Sequence, residues 1–225
     1  ILAASGELGR SLTEQRFVIL GAGTAGMGIA EQVVETLRSM GVKTPHKNFW
    51  LIDRDGLLTT ETKSIRSIHK PYLRSADEVK KWKRDQHNII NLETVVNEAR
   101  PTVLIGCSTQ TGAFTESIVK KMHEYTPRPI ILPLSNPTAN MEATPKDILA
   151  WTDGQALIAT GSPCDPVTYK EKVYPIPQCN NAYVFPGLAL GAMAVKANKV
   201  TDAMIHEACT TLSRFAPRHT DGSLK

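Results

Sequence analysis

The 225-residue sequence has only four cysteines, Cys107, Cys164, Cys179 and Cys209, and no two of them form a CxxC pair. That scatter speaks for intracellular free thiols and against a zinc site. The six histidines also stand singly, without HxxxH or HExxH spacing. Long apolar runs are missing: none approaches about eighteen residues, the length a membrane-spanning helix requires. The segment Ile1–Leu12 mixes Glu7 and Arg10 into a helix-like pattern and shows no cleavage region, so it is not read as a secretory signal. There is little excess charge. Lys and Arg number 26 against 22 Asp and Glu, a net +4, with a pI of about 8.9. The densest basic run, Lys80-Lys81-Trp82-Lys83-Arg84, is read as a solvated helix face or loop rather than a nucleic-acid contact. Repeats, low-complexity tracts and an internal domain boundary are absent as well. With 41% hydrophobic and 21% charged residues, the composition is that of a globular domain, expected to be single over residues 1–225.

The sequence does contain alternation. Phe17–Leu20, Phe49–Ile52, Val103–Gly106, Pro129–Leu132 and Ala156–Ala159 are short continuous apolar runs, the pattern of strands buried on both faces of a parallel sheet. Helical patterns lie between them at Thr24–Met40, Glu93–Ala99, Thr115–Glu124 and Thr144–Trp151. The last opens on Thr144-Pro145-Lys146-Asp147, a threonine cap followed by proline at the first helical position. Gly187–Ala197 and Thr201–Phe215 read as two further helices with small and apolar residues on one face. The expected fold is α/β, a doubly wound, mainly parallel sheet of the Rossmann type. Because the chain opens at Ile1 inside an amphipathic pattern, it is expected to be part of a longer polypeptide.

Gly21-Ala22-Gly23-Thr24-Ala25-Gly26 follows the first strand and opens the first long helix. In that context the glycines permit a tight turn, a close approach of backbone to pyrophosphate, and close helix–strand packing. The helix N-terminus then favours the anion. The alternative is a glycine-rich turn without a ligand. Asp53 ends the second strand, where an acid accepts hydrogen bonds from both ribose hydroxyls and repels a 2′-phosphate. Arg54 beside it, and Lys70 further on, are candidates for pairing with such a phosphate, so NAD and NADP both stay open. The alternative for Asp53 is a turn residue in Asp53-Arg54-Asp55-Gly56. Ser135-Asn136-Pro137-Thr138 follows the fourth strand, at the edge where open α/β sheets bind ligands. There a carboxamide offers a donor and an acceptor, though Asn-Pro also serves local turns. Gln178-Cys179-Asn180-Asn181 enters an apolar segment that turns at Pro186-Gly187; taken alone it is a polar loop before a helix.

Four stretches together resemble the NAD(P)-binding domain of malic enzymes: Ile19–Gly26, Pro129–Thr138, Gly161–Val167 and Asn180–Gly187. The resemblance covers nearly the whole chain, and the last three stretches are shared with the related malolactic enzymes. Gly106–Thr115 is similar to the family's cofactor-lining loop, which brings in Cys107 and Ser108. The resemblance implies oxidative decarboxylation of L-malate to pyruvate and CO2, with hydride passing to NAD or NADP and Mg or Mn assisting loss of CO2. It assigns Gly21, Gly23, Thr24, Ala25, Gly26, Asp53, Arg54, Cys107, Ser108, Ser135, Asn136 and Asn180 to the dinucleotide, and Asn136 and Asn181 to malate. In the family the general-acid tyrosine, the general-base lysine and the metal-binding carboxylates precede this domain. No catalytic residue or metal ligand is therefore assigned here, and Tyr72, Tyr125, Tyr169, Tyr174 and Tyr183 carry no family pattern. The chain is expected to bind dinucleotide without turning over malate; the longer protein is expected to be an intracellular dimer or tetramer, cytoplasmic or in the mitochondrial matrix. Malolactic activity and a non-catalytic nucleotide-binding module are the alternatives.

Overall fold

The computed structural model describes residues 1–216; the rest of the expected domain, 217–225, lies outside the described residues. In chain order the regular elements are α1 (Leu2–Glu7), β1 (Phe17–Leu20), α2 (Thr24–Ser39), β2 (Phe49–Asp53), β3 (Gly56–Leu57), α3 (Leu92–Ala99), β4 (Val103–Gly106), α4 (Glu116–Tyr125), β5 (Ile130–Pro133), α5 (Pro145–Trp151), β6 (Leu157–Ile158), β7 (Val167–Tyr169), β8 (Lys172–Tyr174), α6 (Phe185–Ala194) and α7 (Asp202–Arg214). One sheet has the order β3-β2-β1-β4-β5-β6 and is parallel except for β3, which pairs antiparallel with β2; β7 and β8 form a separate hairpin. The chain leaves β1 for β2 on one side and returns to β4 on the other. This reversal makes the carboxyl end of β1 a topological switch point, where such sheets open a crevice for ligands.

The continuous apolar strands feed two cores because successive side chains point to opposite faces. Val18, Leu20, Trp50, Ile52, Leu104 and Ile131 join residues of α3, α4 and α5 on one face. Phe17, Ile19, Phe49, Leu51, Val103 and Ile105 join Met27, Ala30, Val34 and Leu37 of α2 on the other. The helices begin where capping chemistry allows. Asn91 accepts from the Thr94 N–H at 3.0 Å, Thr115 caps α4, and Thr144 accepts from the Asp147 N–H at 3.2 Å.

The C-terminal helices depart in part from expectation. Residues of α7 pack on α2, α1 and α6. In contrast α6 is apolar on every side, so it has no single face to bury, and Phe185, Leu190 and Met193 are 67%, 68% and 74% exposed. In the basic run, Lys80, Lys81 and Lys83 are exposed while Trp82 packs half-buried on the first core, as a solvated turn with an aromatic anchor would. No helix among the described residues is long and apolar enough to cross a membrane.

Candidate dinucleotide site

The parallel ladder continues past the strand ends and lines up the candidate loops. Gly21 N–H donates to the Ile52 carbonyl at 2.8 Å, Cys107 N–H to Leu20 at 2.8 Å, and Leu134 N–H to Gly106 at 2.9 Å. Asp53, Gly21, Cys107-Ser108 and Ser135-Asn136 therefore follow one another along a single carboxyl edge. The segment holding Gln178 is joined to the same edge. Cys179 N–H donates to the Thr160 carbonyl at 2.7 Å, and the Gln178 side chain donates to the Gly161 carbonyl at 3.0 Å.

The glycine loop has the geometry its sequence requires. Gly21 has φ +100°, and a Cβ on it would run into the Cys107 carbonyl; a Cβ on Gly26 would run into the Gly21 carbonyl oxygen. A Cβ on Gly23 would meet nothing within 4 Å, so the space in front of it is open. Gly23 is also the N-cap of α2 and has no side chain to satisfy the helix's first N–H groups. An open approach to unsatisfied N–H groups at a helix N-terminus fits a pyrophosphate.

Sequence reasoning missed two residues here. Arg66 Nη2 donates to the Ala22 carbonyl at 2.6 Å, and the buried His69 places Nε2 at 3.0 Å from the same oxygen. They hold the loop's second residue from a segment far along the chain, and Arg66, which is exposed, sets a cation beside the glycine loop. Asp53 is half-buried and accepts from the Arg54 N–H at 3.0 Å; Arg54 and Lys70 are exposed.

Across the crevice, Ser135 is buried and Asn136 is exposed, with Asn136 Oδ1 accepting from the Ser162 hydroxyl at 2.5 Å. The structure does not join the two asparagine motifs directly. Asn180 Oδ1 accepts from the Ala182 N–H at 2.9 Å, a local turn bond, and Asn181 is exposed in the turn that follows. Among the described residues no group of three or more His, Cys, Asp or Glu side chains comes together as a metal site.

Burial, reinforced by the charge of Glu142, pushes the Cys107 thiol up to about 12. Cys107, half-buried, should therefore react slowly with iodoacetamide through pH 9, as peptide mass spectrometry can check; prompt alkylation at pH 8 would contradict the raised thiol value. The linkage has a defined sign. The folded thiol keeps its proton where the unfolded one has lost it, so its contribution to stability is present below the unfolded value and is lost as pH rises toward 12.

The switch-point crevice, the glycine loop and the acid that ends β2 define a Rossmann-type dinucleotide-binding domain. The family model described as malic enzyme, NAD binding domain, matches residues 1–224. The chain belongs to that family. It is 46% identical over 224 residues to proteins named NAD-dependent malic enzyme from Salmonella typhimurium and Salmonella arizonae, covering 99% of this chain and 40% of each relative. The chain thus spans about two fifths of the length of these curated relatives. Among solved structures it is similar to a malic enzyme of Entamoeba histolytica, with TM-score 0.72 and 23% identity over 100% of this chain and 41% of that one. A Pyrococcus horikoshii malic enzyme matches with TM-score 0.69 and 23% identity over 99% of this chain and 46% of that one. At these identities the structural likeness speaks for the fold.

Proposed function

We propose that the chain is the cofactor-binding part of an enzyme that oxidises and decarboxylates L-malate to pyruvate and CO2, with NAD preferred over NADP. The observation that carries this reading is the shared carboxyl edge, which sets the glycine loop, Asp53 and Ser135-Asn136 around one crevice. Bound NAD+ supplies the hydride acceptor. The chain's own residues bind and orient: α2 receives the pyrophosphate, Asp53 accepts from the adenosine ribose hydroxyls, and Asn136 presents its carboxamide to nicotinamide and malate. Asn181 donates to a malate carboxylate, with Asn180 beside it. The acid, base and metal-binding carboxylates belong to sequence outside this chain, as does most of a dimer or tetramer interface. The exposed apolar helix α6 supports this division, because a helix apolar on all sides calls for burial against further protein.

The test is an assay of a complete enzyme carrying this chain, with malate, Mn2+ and either cofactor. Pyruvate formed together with NADH, faster than with NADP+, is expected; lactate without net NADH would replace this reading with a malolactic one. In the same enzyme Asn181→Ala should raise the KM for malate by about tenfold, the scale of one hydrogen bond to a charged group. The KM for NAD+ should barely move. Equal changes in both would remove Asn181 from the substrate.

A further inference from the structure

Glu142 belongs to none of the motifs above, yet it is completely buried, at 0% exposure, beneath the crevice between the ends of β4 and β5. Its Oε1 accepts from the Ser108 N–H at 2.9 Å, the Ser108 hydroxyl at 2.9 Å and the Ser135 hydroxyl at 2.5 Å. Its Oε2 faces the Ser135 N–H at 3.4 Å. Each serine oxygen in turn accepts a backbone N–H, Gln110 to Ser108 at 3.2 Å and Thr109 to Ser135 at 2.9 Å. Both hydroxyl protons point to Glu142 Oε1. Backbone donates to serine, and serine donates to the carboxylate.

Burying a carboxylate is costly unless its lone pairs are filled. Here hydrogen-bond donors fill them, and among the described residues no Lys, Arg or His forms an ion pair with Glu142. Strand β4 ends in a glycine where a Cβ on Gly106 would run into this side chain, so the backbone makes room for it. A carboxylate can accept from all four donors; an amide could accept at one atom only and would turn its own N–H toward the Ser135 N–H. The two segments it joins, 107–110 and 134–136, bound the half of the crevice beyond the switch point. The glycine loop and Asp53 bound the other half. In folds of this topology each half takes one mononucleotide of the dinucleotide.

We infer that Glu142 is the positioning residue for the nicotinamide half of the site, holding the loops after β4 and β5 in register while the glycine loop binds the adenosine diphosphate half independently. The inference rests on the dinucleotide reading above. It separates the two halves, so two ligands test it: NADH, which spans both, and ADP-ribose, which lacks only the nicotinamide ring.

Calorimetric titration of a complete enzyme carrying this chain, with each ligand in turn, gives the comparison. In Glu142→Gln the Kd for NADH should rise about tenfold, the effect of losing charge-assisted hydrogen bonds, while that for ADP-ribose stays within about twofold. Ser135→Ala, which removes a single donor and keeps the charge, should change the same ratio in the same direction by less, and it carries the test if Glu142→Gln does not fold. Equal weakening of both ligands, or of neither, would overturn the positioning role. A wild-type enzyme that bound neither ligand would overturn the dinucleotide reading itself, an outcome distinct from an unselective variant of an enzyme that binds both.

Discussion

Gly23→Val is expected to abolish dinucleotide binding while leaving the fold in place. Gly23 has φ −74° and ψ −164°, an extended conformation open to any residue, and a Cβ there touches no other part of the protein. Valine is a poorer N-cap than glycine, at a cost of about 1 kcal/mol, which lowers the melting midpoint by only a few degrees. The new methyl groups instead fill the space through which a phosphate must approach. Losing two charge-assisted bonds from the helix N-terminus weakens binding by about 100-fold or more. Gly26→Val provides the contrast. Its side chain would drive into the Gly21 carbonyl and the Ile19 side chain, so stability and binding should fall together. Calorimetry and thermal melts of both variants distinguish the cases. A Gly23→Val chain that titrates like wild type would remove the glycine loop from the site.

The largest stability effect is expected at the opposite end of the sheet. Phe49 begins β2, is 0% exposed, stacks on Phe17 at 4.7 Å between centroids, and meets Tyr72 edge-on at 5.6 Å. Tyr72 is itself anchored by its hydroxyl, which donates to Glu31 at 2.6 Å. Phe49→Ala leaves a cavity that these neighbours cannot fill and should cost about 3–5 kcal/mol, a large part of an ordinary domain's stability. For a domain of this size that lowers the midpoint by roughly 10 °C. Phe49 lies at the amino end of β2, about 13 Å of strand from Asp53, so the variant should keep wild-type affinity for NADH below its midpoint. A drop of only a degree or two would mean that the aromatic cluster is not a keystone of this core.

Much of this architecture was legible because its signals are local. Five apolar runs became five parallel strands within a residue or two, and Thr144-Pro145 opened a helix as its chemistry requires. The antiparallel strand Gly56–Leu57 and the hairpin Val167–Tyr174 were not visible, being too short or too irregular to show a period. The all-round apolar character of α6 was misread as one-sided, since small residues make a stripe and a cylinder look alike over ten positions. At the candidate site, the tight turn of the glycine loop was legible through spacing. Arg66, His69 and Glu142 were not, because each acts on a loop whose position relative to it is decided by tertiary folding. Only Glu142 left a trace: an acid among Ala139, Met141 and Ala143, seven residues after Ser135, between the Asn-Pro motif and a helix cap.

The most direct test is an amide chemical-shift titration of the isotope-labelled chain with NAD+. Saturable shifts should concentrate on Gly21 to Met27 and on the loops holding Ser108, Ser135 and Asn136, with the hairpin at Val167–Tyr174 unmoved. An unchanged spectrum at saturating NAD+, or shifts confined to surfaces away from the carboxyl edge of the sheet, would contradict the placement of the dinucleotide in this crevice.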